Sequence, residues 1–188
     1  MKTGAVNDLW QPVYDTVQLP AAAGVEQYFT VPNGGALTAV ANKTYAHTNM
    51  IQAGRLEAGV SLRITGISAF VRDLASGAAV PTYADYITLY NTSFINVLIS
   101  QVSMLRVPLY LIPSGTAELQ YFSNIAAAAT EFHVNHGLGS VNNVYDLGNN
   151  YLDLAAGQGI VVELTHAALA AVTDMTIVLH GIMNRNVV

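Results

Sequence analysis

From residue 59 onward, apolar, β-branched and aromatic residues come in runs of strand length, and turn residues cut those runs about every 8 to 15 positions. No stretch there keeps a helical period over the roughly 10–15 residues that an α/β crossover helix requires. That grammar confines the region to an all-β fold. "VSLRITGISAFVRDL" alternates Leu62 and Ile64 with Arg63 and Thr65, and Gly66 stands where a bulge resets the phase before Ile67. Strands are expected over 86–90 and 94–102 of "YADYITLYNTSFINVLISQVSML". A short one in "RVPLYLIPSG", bracketed by Pro108 and Pro113, suits a sheet edge, where missing donors are tolerated. "AELQYFS" and "TEFHVNH" are weaker strands on either side of "NIAAAAT". "GIVVELTH" and "DMTIVLHGIMNR" are the strongest, joined by the Ala-rich "AALAAV" as a helical turn or a loop.

The expected count of about eight antiparallel strands fits a β-sandwich of jelly-roll type over residues 59–188. A seven-stranded immunoglobulin-like sandwich is the rival, without that family's Cys pair. Residues 1–58 differ. Pro12, Pro20, Pro32 and the Gly34–Gly35 pair interrupt "WQPVYDTVQLP" and "VPNGG", so this part is expected to be an extended N-terminal arm. Trp10 and Tyr14 are large rings in a segment with little core of its own; they dock on their own domain or anchor the arm in a neighbouring subunit.

Composition narrows function. The 188 residues suit one domain. Only 10% are charged, against about 25% in ordinary soluble domains, while the hydrophobic share is 52%. The deficit lies in surface chemistry. Seven basic and twelve acidic residues give a net charge of −5 with no basic run, which argues against direct nucleic-acid binding. With no cysteine there is no disulfide, thiolate metal site or Cys nucleophile. The N-terminal stretch reads neither as a signal peptide nor as a membrane span, and a chain made and folded in the cytosol is expected.

No motif supplies catalysis, and neither an enzyme nor a cofactor is expected. "TEFHVNHG" holds Glu131, His133 and His136, but strand geometry turns His136 away from the other two unless the chain bends at Asn135. His166 and His180 sit inside apolar strands, where hydrogen-bonded core or interface roles are commoner than catalysis. Asp73 and Asp85 read as turn-capping residues rather than paired carboxylates. "GLG" and "GQG" lack the spacing and the Lys of a phosphate loop.

Ten Tyr and five Met with few charges make the composition of a subunit interface. A neutral polar surface also suits a carbohydrate- or receptor-binding module, for which "NNVYDLGNNYLD", residues 142–153, is the candidate. The stretch "LDLAAGQGIVVELTHAALAAVTDMTIVLHGIMNR" resembles the closing strands of single-jelly-roll virion proteins of bacterial viruses, and "LRITGISAFV" is similar to an early strand of such proteins. The resemblance implies a capsid or capsid-associated subunit, located in the virion. Its partners would be copies of itself, as trimer, pentamer or hexamer, and other virion proteins. Arg106, beside the Pro-bracketed strand, is then expected to meet an acid across an edge contact.

Overall fold

The computed structural model describes residues 6–39, 41–72, 83–114, 119–123, 131–135 and 143–186. Its elements in chain order are β1 (Val6–Trp10), β2 (Val13–Leu19), β3 (Gly24–Tyr28), β4 (Val60–Arg72), α1 (Tyr83–Thr92), β5 (Phe94–Ile99), β6 (Val102–Pro108), β7 (Leu119–Ser123), β8 (Glu131–Asn135), β9 (Tyr145–Asp146), β10 (Leu152–Leu154), β11 (Ile160–His166) and β12 (Thr173–Asn186). All pairings between these strands are antiparallel.

One sheet has β12 and β4 as its spine. The first half of β12 pairs with β2 and its second half with β1, while β10 and β9 pair with the far edge of β4. The second sheet runs in the order β3-β11-β5-β6, and β7 and β8 form a separate ribbon. Strands consecutive in the chain alternate between the two main sheets: β2, β4, β9/β10 and β12 lie in the first, and β3, β5/β6 and β11 in the second. Period-2 patterning explains how they meet. Leu62, Ile64, Ile67, Met175 and Ile177 of the first sheet share one apolar core with Ile95, Val97, Val162 and Leu164 of the second.

The phase reset at Gly66 is present. His180 pairs with Gly66 but Gly181 pairs with Ile64, so Thr65 is an extra residue on β4. Without it, Leu62 and Ile64 could not face the same side as Ile67, Ala69 and Val71, because a regular strand flips faces at every residue. Gly181 completes the bulge. A Cβ there would lie 2.0 Å from the Arg63 carbonyl oxygen, so only glycine admits this approach.

Three expectations change. Residues 6–28 are not a separate arm: they form β1, β2 and β3, edge strands of both sheets. The prolines punctuate these strands rather than prevent them. Pro12 falls between β1 and β2, opposite the bulged region of β12, and Pro20 follows the last residue of β2. Residues 86–90 are helical, within α1. Tyr86, Leu89 and Tyr90 have i, i+3, i+4 spacing, with Tyr86 and Leu89 in the core and the Tyr86 and Tyr90 rings stacked at 5.8 Å. Finally, 94–102 is not one strand: β5 turns at Ser100–Gln101 into β6, and the chain after Pro108 forms a 3-10 turn, Leu109–Leu111. That places the Pro-bracketed piece beyond the edge strand rather than in it.

Candidate interaction surface

On the sheet faces turned away from the shared core, amides and hydroxyls pair across strands more often than ions do, and on the first sheet Thr16, Ser68, Asp174 and Thr176 are themselves buried. On the first sheet, the Thr16 and Thr176 hydroxyls meet at 2.8 Å, and Gln18 Nε2 donates to Asp174 Oδ1 at 3.2 Å, each pair directly opposite in register. His180 Nε2 lies 2.8 Å from Ser68 Oγ, and burial pushes the imidazole below its ordinary range. On the second sheet, Glu163 accepts from Gln27 at 3.4 Å and from Asn96 at 3.2 Å, while Ser103 Oγ donates to Asn96 Oδ1 at 2.5 Å. Such ladders satisfy polar groups with few charges. They suit a chain with this composition.

Below the bulge, the first sheet carries a different surface. Trp10 of β1, Ile182 of β12, Arg63 of β4 and Asp153 of β10 stand in one cross-strand row, each registered against the next. Arg63 Nε donates to Asp153 Oδ1 at 3.1 Å, and its guanidinium lies 4.2 Å from the centre of the Tyr151 ring. The hydrogen bond to Asp153 and the nearby Tyr151 hold the guanidinium above its ordinary range. Ser61, Arg63, Asp153, Ala155 and Asn184 line a shallow groove in this face. Tyr151, 42% exposed, lies beside the groove against Arg63, and Trp10, 57% exposed, stands on β1 in the row of Arg63, beyond Ile182.

The residues singled out in the sequence separate here. Trp10 belongs to this row and is not covered by its own domain. Tyr14 is an intramolecular anchor. Its hydroxyl donates to the Tyr45 carbonyl at 2.5 Å, its N–H donates to Asn49 Oδ1, and its carbonyl accepts from Thr48 Oγ1, so it fastens residues 45–49 to β2. Of the two readings of Tyr14, these contacts belong to docking on its own domain. Arg106 lies on the other sheet, on the edge strand β6, opposite Asn96 and 5.4 Å from the centre of the Phe94 ring. It makes no ion pair among the described residues.

Asp85, buried in the first turn of α1, accepts a hydrogen bond from the Ala170 N–H and holds the β11–β12 connection, which crosses between sheets as an irregular segment. His166 Nδ1 bonds the Ala167 carbonyl at 2.8 Å. Glu131 and His133 fall in β8, of which only the backbone is described; His136 and Asp73 lie outside the described residues. No cluster of three or more metal-binding side chains occurs among the described residues.

Sequence reasoning missed Arg63 as the partner of Tyr151 and Asp153, and Asn184 as a residue lining the same groove. Their outward phase on β4 and β12 was the available signal, but which strand would lie beside β10 was not. Comparison of the chain with protein-family models, curated proteins and solved structures finds no match.

Proposed function

We propose that the chain is a structural subunit of a virus particle, a capsid or capsid-associated protein built on a jelly roll. The strand order carries this reading. Two sheets in the orders β2-β12-β4-β10 and β3-β11-β5-β6, filled by strands that cross repeatedly from one to the other, support assignment to the doubled Greek key of jelly rolls. Capsid proteins are one of the main uses of that architecture.

The surface supports the same choice. Val102, Met104, Tyr110 and Leu111, in and just after the edge strand β6, are large apolar side chains left exposed on a chain with 10% charged residues. Arg106 stands on the same strand, over the Phe94 ring and with no ion-pair partner among the described residues, where an acid of a neighbouring copy would meet it. In this reading copies of the chain close into trimers, pentamers or hexamers, and many modest contacts hold the particle together with other virion proteins.

The test is the mass of the purified protein by light scattering across concentration and salt, followed by electron microscopy. A closed ring or a megadalton particle is expected. A 20.0 kDa species that stays monomeric at high concentration would overturn the proposal. Arg106→Ala is expected to weaken assembly and to reduce its salt dependence; unchanged assembly removes Arg106 from the contact.

A further inference from the structure

We infer that the sheet face between Trp10 and Tyr151, with the shallow groove along Arg63 and Asp153, binds a short neutral oligosaccharide. The inference concerns the outer face of the first sheet and stands whether or not the chain forms a shell.

Its length comes from the register. Trp10 and Asp153 are three inter-strand gaps apart, about 14 Å at roughly 4.8 Å per gap. That span accommodates several sugar units laid across the strands, with an aromatic ring at each end. Sugar rings present C–H faces that pack on Trp and Tyr, and they present hydroxyls that both donate and accept. The floor between the two rings matches the second requirement. Arg63 donates, Asp153 accepts, and Ser61 and Asn184 do both.

Charge decides against other occupants. Arg63 and Asp153 neutralise one another, and Asp8 of β1, registered against Asn184, adds a negative charge, so the groove does not attract a phosphate or carboxylate. A second protein copy would have to take the exposed Arg63–Asp153 pair out of water, and that desolvation works against a dry contact here. Hydroxyls of a glycan can replace the water around that pair without leaving it unsatisfied. Tyr151 is also braced by the guanidinium at 4.2 Å, so its ring is held for stacking before a ligand arrives.

The experiment is a screen of neutral, sialylated and sulfated oligosaccharides against the intact chain, with affinities from calorimetry and the mass of each sample from light scattering. Neutral oligosaccharides are expected to bind, with longer ones tighter than monosaccharides. Trp10→Ala and Tyr151→Ala should each weaken binding about tenfold or more while leaving the melting temperature unchanged. Asp153→Asn, which preserves shape, should weaken it without altering assembly. Failure of all neutral glycans to bind, preference for acidic glycans, or binding indifferent to both aromatic substitutions would overturn the inference. So would loss of assembly in Trp10→Ala without any glycan binding, which would make this face a subunit contact and leave the shell reading intact.

Discussion

The Lys43 ammonium donates to Asp15 Oδ1 at 2.6 Å, with 3% and 0% of the two side chains exposed. The same carboxylate accepts the Phe29 N–H at 2.6 Å, so it gathers β2, the end of β3 and residue 43 around one buried charge. Burial raises the Asp15 carboxyl above its ordinary 3.8, and Lys43 pulls it back only in part. A carboxyl raised by folding contributes stability below 3.8 that is lost as pH rises through its folded value. Near neutrality, therefore, the charge on Asp15 opposes folding, and Lys43 offsets that cost.

Breaking this pair is expected to be worse than replacing it. Lys43→Met should destabilise by about 3–5 kcal/mol, because it strands a buried carboxylate. The double variant Asp15→Leu, Lys43→Met should be more stable than Lys43→Met alone, although the Phe29 N–H then loses its acceptor at about 1–3 kcal/mol. Denaturant midpoints of the wild type, Asp15→Leu, Lys43→Met and the double variant check this; strictly additive effects would show that the two groups are not coupled.

Glycine substitutions at the bulge should differ sharply. A Cβ on Gly181 meets backbone, the Arg63 carbonyl oxygen at 2.0 Å, whereas a Cβ on Gly66 meets the tip of Val144 at 2.8 Å. Gly181→Ala should reach or exceed the upper end of the roughly 1–3 kcal/mol typical of overpacking, and Gly66→Ala should fall near its lower end. Thermal melts that rank them the other way would mean that the sheet yields more easily at β4–β12 than its long ladder implies.

His180 predicts a limb in the pH profile. Burial lowers its pKa from 6.5, so the unfolded chain takes up a proton before the folded one does. Its contribution is complete above 6.5 and is lost as pH falls through the lower folded value. His180→Gln, which can still bond Ser68, should flatten the stability curve in that window. An unchanged curve would place the acid sensitivity elsewhere.

Removing residues 1–20 should abolish folding rather than assembly alone. The deletion takes away β1, β2 and the Asp15 partner of buried Lys43. Circular dichroism with a cooperative melt like that of the full chain would contradict the place of these strands in the sheet. Trp10→Ala is the substitution that isolates surface function from fold.

Much of the β framework was legible locally. Alternation alone marks β4, β11 and β12 and their inward residues, and the broken alternation around Gly66 announces the bulge, because strand sterics force each side chain to one face or the other. The absence of cysteine likewise leaves packing and polar pairing to stabilise the chain. Residues 86–90 were misread because Tyr, Ile and Leu suit strands by composition, while their spacing is helical.

What only the tertiary structure decided is pairing. Arg63 and Asp153 are 90 residues apart and Thr16 and Thr176 are 160 apart, yet each pair stands side by side. Strand faces follow from nearest neighbours in the chain, but strand order depends on which long loops close and which apolar faces they bury together. Hence the Pro-rich segment with little core of its own became three edge strands, Lys43 lost its place at the surface, and Trp10 came to stand in one row with Arg63 and Asp153.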